Sequence, residues 1–134
     1  MIDALWERLY LREGDLMARK VKTTGYWTFF CNPNVWEIDK RLELADPMET
    51  WSVTDWQAAD FKPGQLGVIR VGQDRRSRAT RAGRNALVAG VYVVVEVLGE
   101  AGAPRTDSAD PLWLVSKRPS PWVPLRFVHN LGTH

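Results

Sequence analysis

The hydrophobic residues nearest the amino terminus recur at helical spacing. Residues at positions i, i+3, i+4 and i+7 are apolar and charged residues lie between them, which is typical of an amphipathic helix. These apolar residues are Ile2, Leu5, Trp6 and Leu9. A second short helical segment is predicted over residues 16–21. We therefore expect residues 1–24 to form an N-terminal helical extension.

From residue 25 onward, short apolar and β-branched runs alternate with turn residues, which predicts strands. The predicted strands cover residues 26–31, 51–53, 66–71, 90–98, 112–117 and 125–130. The continuous apolar run at 90–98 indicates a strand buried on both faces. Residues 72–86 and 99–110 are predicted loops, and Pro119, Pro121 and Pro124 are expected to interrupt the chain before the last strand.

Two short helices are predicted between the first strands. Asn34, followed three residues later by Glu37, has the pattern of a capping box. It precedes an apolar stripe formed by Val35, Ile38, Leu42 and Ala45. Thr54 and Gln57 are expected to cap a single helical turn that contains Trp56.

These elements together predict an α+β fold. We expect a compact mixed β pseudo-barrel of about five to six strands with short peripheral helices. The length of 134 residues suits one hydrophobic core, and no linker divides the chain. The predicted organisation is a helical extension over residues 1–24 and one domain over residues 25–134.

Composition narrows the class of protein. Hydrophobic residues make up 45% and charged residues 25%, as in ordinary globular proteins, and no apolar run approaches a membrane span. Cys31 is the single cysteine, which excludes an intramolecular disulfide and leaves a cysteine-based metal site without partners. We expect a cytoplasmic protein without metal, cofactor or membrane association.

Motifs of common enzymes are missing from the sequence. There is no glycine-rich phosphate loop, no nucleophile elbow and no His–Glu metal motif. Glu37 and Asp39 are expected to face solvent on a helix. Glu96 stands in the middle of an apolar strand, where it is either a partnered core carboxylate, a surface residue at the strand end or a functional group.

The order of four segments resembles the EVE domain family. The chain has an aromatic strand and a polar turn (Tyr26-Trp27 through Asn32-Pro33), a tryptophan segment (Trp51 to Trp56), a Pro63-Gly64 turn into a strand, and a glycine-led strand ending in Val95-Glu96-Val97. The resemblance extends over residues 26–128. It implies a PUA-like pseudo-barrel related to the YTH readers of methylated adenine in RNA.

The resemblance implies a nucleobase pocket. By its place in the family pattern, Asn32 supplies a polar contact to the base, Trp51 supplies a cage wall and Ser52 a hydrogen bond. The predicted base-binding pocket comprises Cys31, Asn32, Pro33, Trp36, Trp51, Ser52, Val53, Trp56 and Trp113, with Trp122 as a further available aromatic residue. For Trp36 and Trp56, a core position is an equal alternative, and Trp27 is expected in the core.

Such a pocket has a physical basis of its own. Stacking of a base on an indole is worth ~1–3 kcal/mol, and an added methyl group gains ~0.8 kcal/mol on leaving water. A cationic base would add a cation–π contribution. Stacking does not distinguish bases, so the Asn32 amide and the Ser52 hydroxyl are expected to recognise the edge of the ring. This prediction fails if Trp51 is sealed in the core without a cavity between Asn32 and Ser52.

Arginines concentrate in the predicted loop 72–86. Because the net charge is only +2, the local cluster is more informative about binding partners than the total charge. Arginine without lysine favours bidentate phosphate contacts, and glycine allows close approach to a backbone. The predicted phosphate-binding residues are Arg70, Gly72, Arg75, Arg76, Arg78 and Arg81.

The leading hypothesis is therefore a non-catalytic protein that binds DNA or RNA carrying a modified base. One alternative is an enzyme similar to the small ASCH amidohydrolases that act on modified nucleosides, with Lys22, Thr23 and Glu96 as its functional residues. Another is an interaction module in which residues 1–20 bind a protein partner or mediate self-association.

Overall fold

The computed structural model describes residues 25–105, 110–115 and 119–132. The predicted extension over residues 1–24 lies outside the described residues. So do Lys22 and Thr23, which the amidohydrolase alternative requires.

The described part contains strands and short helices in the following order. They are β1 (Tyr26–Cys31), α1 (Ile38–Leu42), β2 (Met48–Ser52), a 3-10 helix (Asp55–Asp60), β3 (Leu66–Val71), α2 (Arg78–Arg81), β4 (Gly90–Val97), β5 (Gly102–Arg105) and β6 (Ser120–Asn130).

All of these strands belong to one six-stranded mixed sheet. The strand order is β1-β3-β4-β6-β2, and β5 pairs separately with β6. β1 and β3 run parallel, whereas the other paired strands run antiparallel. The sheet curls into a half-barrel, with β1 and β2 at opposite ends of the strand order. The predicted mixed β architecture with short helices is confirmed at this level.

The core lies on the inner face of the half-barrel. Alternate residues of β1 are buried there, namely Trp27, Phe29 and Cys31, while Tyr26 is exposed. Trp27 stacks on Phe61 with ring centroids 4.1 Å apart. The Trp27 indole N–H also donates to Oε1 of Gln65 at 2.7 Å. Trp27 is therefore a core residue, as its position in an aromatic strand predicts.

β4 is buried on one face only, which corrects the prediction of a strand buried on both. Val93, Val95 and Val97 are fully buried, whereas Val94 and Glu96 between them are partly exposed. The apolar run is continuous, but the outer face of the sheet has partial cover. Hydrophobic sequence alone therefore overestimates burial here.

Near the carboxyl terminus, the predicted strands and loops differ from those observed. Part of the predicted loop 99–110 forms β5, which pairs with β6. β6 also runs through Pro121 and Pro124 rather than being interrupted by them. A proline lacks the N–H group but keeps its carbonyl, and these two carbonyls accept from Val53 N and Leu98 N, each at 2.9 Å.

The predicted strand over residues 112–117 is also wrong within its described part. Residues 112–115 contribute a single isolated bridge, between Trp113 and Trp36. The carbonyl of Val35 accepts from Leu114 N at 2.8 Å. This segment therefore follows the loop that precedes α1 instead of joining the sheet.

The predicted capping box of the first helix is wrong. α1 begins at Ile38 with Glu37 as its N-cap residue, and no side chain caps it. The Asn34 side chain bonds instead to the chain near residue 75, and Glu37 enters an ion-pair network described below. The helix ends at Leu42, before Ala45, which is exposed.

Two further helical segments differ in how their N-caps bond. Thr54 occupies the N-cap position of the 3-10 helix as predicted, but its hydroxyl bonds to the Gln57 side chain at Oε1 (2.9 Å) and caps no backbone N–H. Within the predicted loop 72–86, the short helix α2 forms because Ser77 Oγ accepts from Thr80 N at 3.1 Å.

Among the described helices, none has the length and apolar character needed to cross a membrane.

The contact between β1 and β3 leaves no room for a side chain at Gly67. A Cβ there would lie 2.8 Å from the Trp27 carbonyl oxygen and 3.0 Å from the Phe29 ring. We predict that Gly67→Ala lowers the free energy of unfolding by ~1–3 kcal/mol, as overpacking does, measured by urea denaturation. Gly99→Ala is the matched control because its nearest atom would be 3.7 Å away. Equal stability of the two variants would contradict this packing.

Candidate functional site

A cavity lies between β1 and β2, the strands at the two ends of the sheet order. The unfilled space between its lining atoms is about 360 Å³, a volume that includes open solvent at its mouth. Its walls come from both edge strands, the loop before α1, the segment around residue 113 and β6. The lining residues are Cys31, Asn32, Val35, Trp36, Glu49, Thr50, Trp51, Ser52, Asp110, Trp113 and Trp122.

Four indole rings form a continuous part of this wall. Trp36 meets Trp51 edge-on, with ring centroids 5.1 Å apart and an interplanar angle of 85°. Trp113 lies 6.2 Å from Trp36 and 6.5 Å from Trp122. Edge-to-face contacts hold each ring in a defined orientation. The lining thus presents large, rigid aromatic surface to whatever occupies the cavity.

The polar atoms of these indoles differ in their partners. The Trp36 N–H donates to Asp110 Oδ2 at 3.0 Å. The N–H groups of Trp51 and Trp113 are buried and have no acceptor in the described part of the chain. A buried donor left without a partner costs about 1–3 kcal/mol. Both orphaned donors belong to residues that line the cavity.

Asn32 occupies the turn that follows β1, where its side chain is already partly engaged. Its Oδ1 accepts from the backbone N–H of Asn34 at 3.0 Å and from the Asn34 amide at 2.8 Å. The acceptor of Asn32 therefore stabilises the turn. The amide N–H₂ is the group that this residue offers to a ligand.

Two acidic residues in the wall have structural partners. Glu49 Oε2 accepts from Arg41 Nε at 2.6 Å, and the Asp110 carboxylate accepts from the Trp36 indole and from Leu112 N. Sequence reasoning missed both. Glu49 precedes Trp51 by two residues, so a longer β2 would have placed them on one face; nothing in the sequence indicates Asp110.

Cys31 contributes an apolar wall rather than a nucleophile. The residue is 1% exposed, and burial raises the pKa of its thiol to about 12. A nucleophilic cysteine needs the thiolate form. At neutral pH this thiol is protonated.

Six of the nine predicted pocket residues line the cavity, namely Cys31, Asn32, Trp36, Trp51, Ser52 and Trp113. Trp51 is only 3% exposed, yet it forms part of the cavity wall together with Asn32 and Ser52. Pro33, Val53 and Trp56 do not line the cavity. Pro33 is fully buried within the turn, Val53 belongs to the core, and Trp56 lies on the 3-10 helix.

Among the predicted phosphate-binding residues, Arg76 has a structural role. Its side chain is 1% exposed. All five N–H donors of the guanidinium bond to carboxylates at 2.8–3.1 Å, and these belong to Glu37, Asp39 and Asp74. A phosphate would find no free donor on this side chain. Arg84 reinforces the cluster by bonding to Asp39 at 2.7 Å and to Glu37 at 2.8 Å.

The cluster keeps its carboxylates ionised. Hydrogen bonding from Arg76 holds the pKa of Asp74 well below its usual range. Burial alone would raise the pKa of Glu37, but hydrogen bonds and charge from Arg84 and Lys40 outweigh that effect and lower it. Glu37 is 3% exposed, so the prediction that it faces solvent is wrong. Glu37 is buried because its carboxylate forms ion pairs with Arg76 and Arg84, which lie in a distant loop.

The other residues predicted to bind phosphate differ from Arg76 in their exposure and contacts. Arg70, Arg75 and Arg78 are exposed. Arg81 is partly buried and donates to the carbonyls of two loop residues. At Gly72, a Cβ would lie 2.6 Å from the Phe30 ring, so a larger residue there would displace this ring.

The arginine loop begins beside the cavity. The Asn34 amide, bonded to Asn32, also donates to the carbonyl of Gln73 at 2.9 Å. Asn34 Oδ1 accepts from the backbone N–H of Arg75 at 2.6 Å. One asparagine therefore connects the cavity rim with the first exposed arginine of the loop.

Glu96 lies apart from the cavity. It is partly exposed and forms an ion pair with Arg126 on the neighbouring strand at 2.5 Å. This matches the surface interpretation among those left open by the sequence. Within the described ranges, no group of three or more His, Cys, Asp or Glu residues is arranged to hold a metal ion.

Comparison with protein-family models, curated proteins and solved structures finds no match for this chain. The resemblance to the EVE family therefore stays a prediction.

The Arg76 cluster generates a stability prediction. Arg76→Ala would leave buried carboxylates without their counter-charge, which typically costs ~3–5 kcal/mol. We expect this loss in the free energy of unfolding, measured by chemical denaturation. Arg78→Ala, an exposed arginine two residues away, should change it by less than about 0.5 kcal/mol. If both variants proved equally stable, the cluster would have no structural role.

Proposed function

We propose that this protein binds nucleic acid and holds a single nucleobase, most favourably a modified one, in the cavity between β1 and β2. The observation that carries the proposal is the cavity itself, in which four indoles and the side chains of Asn32 and Ser52 meet. We also propose that the half-barrel belongs to the PUA-like class and that the chain is an EVE-type protein.

The cavity suits a flat ring with polar edges. Indole faces stack on any heterocycle, and each stacked base is worth ~1–3 kcal/mol. Apolar wall atoms of Val35 and the protonated Cys31 thiol favour an added alkyl group, since its transfer from water gains ~0.8 kcal/mol per CH₂. The Asn32 amide and the two orphaned indole N–H groups supply directional contacts at the ring edge.

The neighbouring arginine loop supports a polymer as the natural ligand. Parallel β1 and β3 end at the same edge of the sheet, so the Asn32 turn and the loop that starts at Gly72 lie together. The exposed arginines of this region, Arg70, Arg75 and Arg78, can reach phosphates beside a captured base. Arg76 is excluded from this role because its donors are all engaged within the protein.

The amidohydrolase alternative receives less support. Glu96, its proposed acid, lies at the surface in an ion pair with Arg126 and outside the cavity wall. Lys22 and Thr23 lie outside the described residues, as does the helix of the interaction-module alternative.

The base-binding proposal predicts different effects for two wall residues. Trp51→Ala should weaken binding to every base by ~1–3 kcal/mol because an aromatic wall of the cavity is lost. Asn32→Asp keeps the acceptor that stabilises the turn but removes the amide donors, so it should mainly relax discrimination between bases. The measurement is a fluorescence binding screen of oligonucleotides that each carry one modified base.

Trp56→Ala is the matched control because its indole does not line the cavity. It should bind like the wild-type protein. Thermal unfolding of each variant verifies that it folds. If Trp56→Ala and Trp51→Ala weakened binding equally, or if no base bound the wild-type protein, the proposal would be rejected.

The phosphate contacts predict a salt dependence. Arg75→Ala and Arg78→Ala should each weaken binding for all sequences and reduce the slope of log K against log salt by about 1. Arg126→Ala is the control, since this exposed arginine pairs with Glu96 on β4. An affinity that does not change with salt would remove the phosphate role and leave a free nucleoside as the ligand.

A further inference from the structure

Four tryptophans of the described chain differ in the state of their N–H donors. The Trp27 donor bonds to Gln65 Oε1 at 2.7 Å, and the Trp36 donor bonds to Asp110 Oδ2 at 3.0 Å. The donors of Trp51 and Trp113 are buried and have no acceptor in the described part of the chain.

This contrast is informative because an indole N–H can only donate. Buried polar groups in folded proteins are nearly always hydrogen-bonded. Here the fold provides a side-chain acceptor for Trp27, which lies in the core, and for Trp36, which bridges to the segment around residue 113. The two unpaired donors both belong to residues of the cavity wall, and Trp51 is only 3% exposed.

In contrast to these donors, the carboxylate and amide oxygens of the wall already accept hydrogen bonds from the protein. Both oxygens of Glu49 accept bonds from the protein, one from Arg41 and one from Thr50 N. Both oxygens of Asp110 likewise accept bonds, and Asn32 Oδ1 accepts two. The two polar groups of the wall that are buried without any partner in the described chain are therefore both donors.

We propose that the cavity selects a base that presents carbonyl oxygens, as oxo-pyrimidines do, to the N–H groups of Trp51 and Trp113. Carbonyl oxygens at the ring edge satisfy donors that the fold leaves unpaired. A ring edge built mainly from amino groups leaves those donors buried without partners. This inference rests on the proposed base-binding function and specifies the chemistry of the base.

The test compares two bases of the same shape. Single-stranded oligonucleotides carry at one internal position either thymine or 2,4-difluorotoluene, which has the outline of thymine but is a very weak acceptor. A third oligonucleotide carries an abasic site there. We expect the wild-type protein to bind thymine at least about fivefold tighter than the isostere, as two net hydrogen bonds imply.

Two variants then assign the preference to the donors. Trp51→Phe and Trp113→Phe keep an aromatic ring but remove the N–H, and each should reduce the thymine-to-isostere ratio by roughly two- to tenfold. The ratio isolates the hydrogen bond because lost stacking affects both oligonucleotides alike. Trp27→Phe is the control, because its N–H bonds to Gln65 and it does not line the cavity; this variant should leave the ratio unchanged.

A second measurement uses the unmodified protein and does not depend on variant folding. In ¹H–¹⁵N spectra, the indole N–H signals of Trp51 and Trp113 should shift on addition of the thymine oligonucleotide. Because a hydrogen bond deshields the donated proton, thymine should move these signals further downfield than the isostere does.

The outcomes separate this inference from the function on which it rests. Equal affinity for thymine and the isostere would overturn the inference, while base capture by shape and stacking would stand. Thymine binding no tighter than the abasic control would also overturn it. If, in addition, the screen of modified bases found no ligand, the proposed function would fall with it.

Discussion

The parallel pairing of β1 with β3 is the constraint on which the rest of the site depends. It brings the carboxyl ends of two strands to one edge of the sheet, where Gly72 N donates to the Cys31 carbonyl at 3.0 Å. Loops at such an edge are common places for ligand binding in parallel sheets. In this protein the edge brings together the turn at Asn32, which reaches the cavity, and the loop that carries the arginines. An antiparallel β1 would have placed these two loops at opposite ends.

Charge then holds this arrangement in place. The guanidinium of Arg76 joins Asp74 on its own loop to Glu37 and Asp39 at the start of α1. A buried arginine whose five donors are all satisfied avoids most of the penalty that burial imposes on a charge. The loop is thereby fastened to the segment that leads from Asn32 into α1. The same loop presents Arg75 and Arg78 to solvent, so one residue type serves both a structural and a surface role.

The aromatic wall combines a rigid apolar surface with buried polar groups. Trp36, Trp51, Trp113 and Trp122 come from separate segments and orient one another through edge contacts. Two of them keep a buried N–H donor that the described chain does not use. Stacking surface provides affinity without selectivity, whereas an unpaired donor discriminates because leaving it unpaired is costly.

Local sequence was sufficient for β1 and β3, whose bounds match those predicted, and for the turn at Pro63-Gly64, because adjacent residues decide strand propensity and turn geometry. The family pattern also singled out Asn32, Trp51 and Ser52, which the fold brings to one cavity. Tertiary structure alone decided that Glu37 and Arg76 are buried together, that β6 passes through two prolines and that Asp110 reaches the wall. Each of these depends on a partner far away in the chain, and no periodicity along the sequence records such a contact.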